Sequence, residues 1–275
     1  MVDALPPLVW DKVCHQLDPI DLKAFAMASP TFAASARRRR RPPSGALRAA
    51  LASSSPPAPA MSLSWFEWAY EENARSHPDL LALAAFLGSE QALRFLRDKG
   101  CAFNDAGLVY WAAKGKHLAT VRWLLGESVR CPFDVFSLYA AARAGDLPII
   151  QLLLDRGAGS RGLDSKLTGC AARGGHLEVL KWLREKGCPW DEEVCAAAAR
   201  GGHIETLRYL RDNGCPWDEG TCNLAAVGGH LSVLEFARDR GCPWSQDTYH
   251  AAKSSRHAKA VLRWLETRGC PSLVI

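Results

Sequence analysis

A 27-residue period in the C-terminal half of the sequence restricts the possible folds more than any other feature. Cysteines followed by proline recur at this spacing, at Cys188, Cys215 and Cys242. Gly-Gly-His sequences recur with the same period, and a further histidine follows in the next unit: His176, His203, His230 and His257. A fixed period of this length is typical of repeat architectures, in which each unit is one small supersecondary element. The sequence therefore predicts a stacked array of units.

Each unit is predicted to contain two helices. Leu177 and Leu180 begin an apolar stripe with helical spacing, and Gly187 ends that helix because glycine tolerates positive φ. Pro189 and Asp191 are predicted to open the next helix, since proline lacks a donor that a helix start does not need and aspartate can cap. The Gly-Gly pair supplies the turn within the unit. Two short helices cannot bury their apolar faces alone, so the units must stack into a solenoid.

The repeated pattern A-A-x-x-G-H-L-x-V-L-x-x-L-x-x-x-G-C resembles the ankyrin repeat family. About seven units lie between Asp79 and Pro271, and the resemblance covers roughly Leu63 to Pro271. It implies an all-α ankyrin solenoid, placed at residues 62–275, that binds other proteins. Ankyrin repeats usually have about 33 residues and a β-hairpin finger between units. Here Cys-Pro-Trp-Asp stands in place of the finger, as in the compact arrays of large DNA viruses and unicellular eukaryotes, which argues against recognition through fingers.

Residues 1–36 do not follow the repeat. Leu5-Pro6 begins a predicted helix with apolar residues at every fourth position, and Asp18-Pro19 ends it. The order Leu-Pro, apolar helix, Asp-Leu and Ser-x-x-Phe resembles an F-box, a small three-helix motif that docks on the Skp-family adaptor of cullin–RING ubiquitin ligases. The resemblance assigns adaptor binding to Leu5, Pro6, Leu8, Val9, Val13, Leu17 and Leu22. The alternative is a helical cap that shields the first ankyrin unit.

Residues 37–61 have the composition of a basic, Pro/Ser/Ala-rich linker. The net charge of the chain is +5, and the run Arg37–Arg41 accounts for all of it. The run is consistent with a nuclear-import signal, a phosphate-binding patch or a solvated charge run. Since the rest of the chain is neutral, a nucleic-acid-coating surface is not expected. The sequence contains no apolar stretch of about 20 residues, and it does not begin with a basic segment followed by an apolar one. We therefore expect a cytoplasmic or nuclear protein without membrane contact.

The cysteine and histidine columns predict neither a metal site nor disulfides. Equivalent positions in stacked units lie roughly 8–10 Å apart, whereas zinc ligands lie about 2.0–2.3 Å from the metal and disulfide-linked Cα atoms within about 7 Å. A mixed set of Cys188, Cys195 and His203 is the remaining way to assemble a zinc site. We expect the cysteines to fill small apolar positions as reduced thiols, and the histidines to tie backbone groups of neighbouring units.

The aromatic and acidic columns are also attributed to the scaffold. Trp190, Trp217 and Trp244 are predicted to form a stacked apolar ladder that replaces the missing hairpin, with a ligand cage as the alternative. Glu192-Glu193 and Asp218-Glu219 are paired acids at predicted helix starts, where the helix dipole favours negative charge. The sequence contains no phosphate loop, nucleophile elbow or HExxH motif, so we expect no enzymatic activity and no cofactor.

One column of cations is not explained by folding. The residue after the Ala-Ala pair is basic in four successive units, and these residues, here called the basic stripe, are Lys114, Arg143, Arg173 and Arg200. In a solenoid they would line up over about 30 Å, on the border of the surface that ankyrin proteins turn towards partners. The acidic residues after each tryptophan are expected elsewhere on the unit. The stripe predicts binding of an acidic or phosphorylated protein segment, and solubility of an alanine-rich helix is the alternative interpretation.

These features together predict a protein–protein interaction module. In the first hypothesis the chain is a substrate-recruiting subunit of a Skp–cullin–F-box-type ubiquitin ligase, with residues 1–36 on the adaptor and the array on the target. In the second it is an interaction scaffold unrelated to ubiquitin. Outside its complex the chain is expected to be a monomer.

Overall fold

The computed structural model describes residues 77–158, 163–255 and 258–271, together with Leu63, Phe66, Glu67 and Tyr70. The F-box-like motif and the basic linker predicted at residues 1–61 lie outside these described residues. The chain divides into two compact units, residues 1–104 and 105–275, so the division falls inside the segment predicted as one ankyrin domain. Every regular element in the described ranges is a helix. None of the described helices is both long and apolar enough to cross a membrane.

The described helices follow one another in pairs. Within residues 1–104 the described pair is α1 (His77–Leu87) and α2 (Glu90–Asp98). Within residues 105–275 each pair is one repeat, and its first helix is α3 (Gly107–Lys114), α5 (Val135–Ala144), α7 (Ser165–Gly174), α9 (Glu192–Gly201), α11 (Glu219–Gly228) or α13 (Gln246–Lys253). The second helix of each pair is α4 (Leu118–Leu124), α6 (Leu147–Leu153), α8 (Leu177–Glu185), α10 (Ile204–Asp212), α12 (Leu231–Asp239) or α14 (Ala258–Thr267). A π-helical turn, Leu154–Ala158, continues from α6.

The first helices from α5 to α13 each begin after an extended residue with a short polar side chain, whereas α3 follows Ala106 in helical conformation. Asp164 caps α7 by accepting a hydrogen bond from the backbone N–H of Leu167 at 2.9 Å. Asp218 likewise accepts from the N–H of Gly220 at 2.9 Å at the start of α11. These bonds satisfy donors that have no partner inside the helix. Pro189 was expected to open α9, but the helix begins at Glu192 after the extended residue Asp191, so the proline lies before the cap.

The Gly-Gly-His turn allows neighbouring units to approach closely. Gly175 follows α7 with φ +76°, a conformation that glycine adopts without strain. Gly174 ends the helix itself, and a Cβ atom there would lie 2.4 Å from the carbonyl oxygen of Arg143 and 2.5 Å from the ring of His176. The second helix ends similarly: Gly187 has φ +79°, and the N–H of the next residue donates to the carbonyl of Leu183 at 3.0 Å. The predicted glycine turns are therefore confirmed.

The core of residues 105–275 lies between a layer of first helices and a layer of second helices. The first helices of successive units pack side by side, and small residues such as Ala171 and Ala172, both fully buried, permit this close approach. The second helices cover them with fully buried leucines, among them Leu180, Leu183 and Leu207. Burial of each such leucine stabilises the fold by roughly 1.5–3 kcal/mol.

Side-chain hydrogen bonds tie each unit to the preceding one. The Nε2 atom of His176 lies 2.9 Å from the carbonyl oxygen of Arg143. Since a carbonyl only accepts, this nitrogen carries the proton and donates it. The same bond joins the next two units, His203 to Arg173 at 3.1 Å and His230 to Arg200 at 3.2 Å. The predicted role of the histidines in tying backbone groups between units is confirmed for these three.

The Cys-Pro cysteines make a second tie between units. The thiol of Cys215 points to the carbonyl oxygen of Asp191 at 3.5 Å, and that of Cys242 to the carbonyl of Asp218 at 3.2 Å. These cysteines are buried, as a residue filling a small apolar position should be. Because each thiol reaches the cap residue of the preceding first helix, it fixes where that helix begins relative to the next unit.

Candidate functional site

The basic stripe lies at the last turns of α3, α5, α7 and α9. All four side chains are half-buried. Burial, followed by the positive charges of Arg173 and Arg200, lowers the pKa of Arg143. Burial and the charge of Arg173 likewise lower the pKa of Arg200. The structure therefore brings the three arginines within electrostatic range of one another on one face of the first helices.

Lys114 is held differently from the three arginines. Its ammonium group lies 5.4 Å from the ring centroid of Trp111 and 6.0 Å from that of Tyr110. Contacts of a cation with the face of an aromatic ring are favourable. The lysine end of the stripe is thus an aromatic–cation cluster.

The hydrogen bonds from the histidines hold the backbone of the stripe arginines in place. The carbonyl groups that accept the bonds from His176, His203 and His230 belong to Arg143, Arg173 and Arg200. The stripe arginines are thus fixed at Cα while their side chains extend from the end of a helix. Burial lowers the pKa of His176 and His203, which keeps these imidazoles neutral near neutral pH.

Acidic residues share a cleft with the stripe, contrary to the expectation that they lie elsewhere on the unit. Arg173 and Arg200 line an open depression of about 340 Å³ together with Glu192, Glu193 and Asp218. The same depression is also lined by small or aliphatic residues: Ala196, Ala197, Gly220 and Leu224. The sequence prediction is wrong for Glu192 and Asp218, which line the depression beside the arginines. Glu192 and Glu193 form the first turn of α9, and Arg200 lies two turns further along the same helix.

An exposed aromatic residue on the same face was missed by the sequence analysis. Phe136 is 61% exposed, the largest exposure of a large apolar side chain in the described part of the chain. Its ring meets that of Tyr139 edge to face at 6.1 Å. Since Arg143 follows Phe136 by seven residues on α5, the two side chains lie on one side of this helix. The sequence signal for this residue was its position seven residues before the stripe residue Arg143, which places both on one side of a helix.

The tryptophan column lies apart from this face and is not a purely apolar ladder. Each ring is half-buried and is covered by an arginine six residues earlier in its own unit. The pairs, with guanidinium-to-centroid distances of 4.4, 4.1 and 4.0 Å, are Arg184–Trp190, Arg211–Trp217 and Arg238–Trp244. Two of the rings also meet aromatic rings of the following unit, in the pairs Trp190–Tyr209 and Trp244–Trp264. These contacts support a packing role between units.

The described residues contain no group of three or more His, Cys, Asp or Glu side chains placed to hold a metal ion. Cys188, Cys195 and His203, which are all described, do not form such a group. The described cysteines are free thiols. Burial raises the pKa of the Cys188 thiol to about 11, and that of Cys131 to about 12, so both are protonated at neutral pH. A protonated, buried thiol is a poor nucleophile and a poor metal ligand.

The paired helices and their stacking define a helical-repeat protein. Residues 108–193 match the family model for ankyrin repeats, in three copies. That segment is therefore built of ankyrin repeats, as the sequence pattern predicts, and such repeats indicate a protein–protein interaction module.

The chain is similar to the human ASB11 ankyrin repeat domain, with 21% sequence identity and a TM-score of 0.44. The match covers 66% of this chain and 96% of that one. No curated protein matches the sequence.

Proposed function

We propose that the face of the first helices binds an acidic or phosphorylated segment of a partner protein through the basic stripe. The observation that supports this most strongly is the position of Arg143, Arg173 and Arg200 at the last turns of successive first helices, with Arg173 and Arg200 lining one depression. Aligned like charges repel one another, and an anionic ligand would relieve that repulsion. Arginine suits the task because its planar group can hold a carboxylate or phosphate with two parallel hydrogen bonds.

The shape of the face supports an extended occupant. Successive first helices are roughly 8–10 Å apart, so acidic residues about three positions apart in an extended chain would meet successive stripe residues. Phe136 is exposed on the same side of α5 as Arg143, two turns away, and offers an apolar contact to the same segment. We therefore expect the occupant to combine negative charge with an apolar residue.

A peptide-binding experiment tests the stripe directly. The probe is a fluorescent glutamate peptide of about 12 residues, long enough to pass over four first helices. The variant replaces Arg143, Arg173 and Arg200 by Gln. We expect its affinity to fall by about tenfold or more, and the affinity of the unaltered chain to fall steeply with added salt, as for other charge-guided contacts.

A matched control separates the stripe from net charge. Lys181, Arg208 and Arg263 are exposed and occupy one column of the second helices, so their replacement by Gln removes the same charge from another surface. The control variant should fold as the unaltered chain does, because exposed substitutions usually change stability by less than about 0.5 kcal/mol. The stripe arginines are half-buried, so the melting temperature of the stripe variant is measured first and binding is compared at a temperature where both variants are folded. If both variants weaken peptide binding equally, or if neither does, the stripe is a solubility device.

We further propose that the chain recruits substrates to a Skp–cullin–F-box-type ubiquitin ligase as a non-enzymatic subunit in the cytoplasm or nucleus. This proposal is supported by the Leu-Pro, Asp-Leu and Ser-x-x-Phe order within residues 1–36, a part of the sequence outside the described residues. The test is co-purification with a Skp-family adaptor, repeated after Leu5→Ala with Pro6→Ala. Binding that is lost in the variant supports the role. Retained binding, or none with the unaltered chain, favours a scaffold in which these residues cap the array.

A further inference from the structure

The balance of charge on the face of the first helices shifts along the array. The basic stripe occupies α3 to α9, and its position holds uncharged residues in the next two repeats, Val227 and Ser254, although Lys253 is exposed beside Ser254. Single exposed carboxylates, Asp105 and Asp134, stand at the starts of α3 and α5, whereas the starts of the later first helices carry Glu192, Glu193, Asp218, Glu219 and Asp247. The row of cations therefore ends at α9, where the carboxylates become denser.

The row of cations and the denser carboxylates meet in the cleft over α9. It is lined by the cations Arg173 and Arg200 and the carboxylates Glu192, Glu193 and Asp218. Glu192 and Arg200 are eight positions apart along α9, a rise of about 12 Å. A single ligand spanning this cleft would contact both signs of charge and the alanine side chains that also line it. A wholly acidic segment would meet its own charge on continuing past α9.

We propose that the partner segment is bipolar, with an acidic stretch over α3 to α9 and a basic stretch over the acidic helix starts of α9 to α13. The proposal rests on the function proposed above and specifies its ligand further. From α3 to α13 the face spans five helix-to-helix steps, about 40–50 Å, of which an extended segment of about 12 residues covers about 40 Å. The boundary between its acidic and basic parts would lie in the cleft, and this boundary would fix the position of the partner along the array.

Three fluorescent peptides of about 12 residues each distinguish the possibilities by anisotropy. The first has a block of glutamates followed by a block of lysines, the second alternates the same residues, and the third is all glutamate. We expect the block peptide to bind about tenfold tighter than the alternating peptide, which has the same composition, and also tighter than the all-glutamate peptide. Equal binding of the block and alternating peptides would overturn the proposal.

Charge reversal in the cleft provides the second arm. Glu192→Lys with Glu193→Lys should invert the preference, so that the all-glutamate peptide binds better than the block peptide. The neutral variant, Glu192→Gln with Glu193→Gln, should reduce the advantage of the block peptide without inverting it. The control reverses Glu178 and Glu205, whose side chains are 82% and 75% exposed on the second helices, and should leave the order unchanged. An unchanged order in the variant with Glu192→Lys and Glu193→Lys would also overturn the proposal.

The outcomes separate this proposal from the function on which it rests. Binding of the all-glutamate peptide that depends on the stripe arginines, with no gain from the lysine block, would leave the stripe function standing and refute the bipolar partner. If no peptide depends on the stripe arginines, both proposals fail.

Discussion

Replacing Gly174 by alanine should destabilise the protein, although helix propensity alone predicts the opposite. The residue is the last of α7, and alanine is favoured over glycine within a helix by about 1 kcal/mol. Against this gain, the added Cβ would lie 2.4 Å from the carbonyl oxygen of Arg143 and 2.5 Å from the His176 ring. Neither neighbour can move cheaply, because one is backbone of the preceding unit and the other is bonded to it at 2.9 Å.

The expected magnitude combines three contributions. Overpacking of a filled site costs about 1–3 kcal/mol. Displacing the His176 ring leaves the carbonyl of Arg143 without its bond, which costs about 1–3 kcal/mol more. After the gain in helix propensity, the net loss is about 3 kcal/mol. For a chain of this size that corresponds to a melting temperature lower by about 6–12 °C.

The assay is urea and thermal unfolding followed by circular dichroism, with Gly169→Ala as the matched control. Gly169 lies in the same helix, but the nearest atom to its Cβ would be the Cβ of Ala197 at 3.9 Å, an ordinary contact. This variant should be as stable as the unaltered chain or more stable by up to about 1 kcal/mol. If the free energy of unfolding is the same for Gly174→Ala as for Gly169→Ala, neighbouring repeats do not approach each other closely at this turn.

Three further predictions concern the ties, the ends of the array and the exposed ring. Burial lowers the pKa of His176 and His203 below the ordinary 6.5, so the unfolded chain takes up protons first. The contribution of these two histidines to the free energy of unfolding is thus complete above about pH 7 and decreases as the pH falls below 6.5. Replacing both histidines by Asn should flatten this pH dependence, which urea unfolding at several pH values measures. Terminal units lack one neighbour, so amide hydrogen exchange should be slowest around residues 170–210 and fastest after Ser245, and uniform protection would contradict this. Phe136→Ser should weaken binding of an acidic peptide with a terminal leucine without lowering the melting temperature, because the ring is 61% exposed, and unchanged affinity would exclude it from the site.

Much of the unit could be predicted from the sequence because its signals are local. Gly187 ends the second helix at positive φ, and the Gly-Gly pair turns the chain between the two helices, since few residues other than glycine adopt this conformation. The histidine ties and buried cysteines were also accessible, because a polar residue and a small apolar residue at fixed positions recur in every regular unit. Repetition made each of these inferences stronger than a single occurrence would.

The composition of the cleft and the exact start of α9 could not be predicted, because they depend on distances between repeats that a local sequence pattern does not specify. The meeting of Glu192 and Glu193 with Arg173 in one cleft follows from how α7 packs beside α9. The start of α9 was predicted too early because Pro189 suits the first turn of a helix as well as an extended approach to it. The covering of Trp190 by Arg184 had a sequence signal, an arginine six residues before each tryptophan, but the ladder interpretation considered the rings alone.

The most direct test of the central claim is a hydrogen-exchange footprint of the full chain, with and without a saturating acidic peptide. If the partner lies across the face of the first helices, added protection should fall on α7 and α9, the helices that hold Arg173 and Arg200. The second helices α8 and α10, on the other layer, should exchange as in the free chain. Protection confined to the second helices, or bound peptide with no change on α7 and α9, would contradict the account.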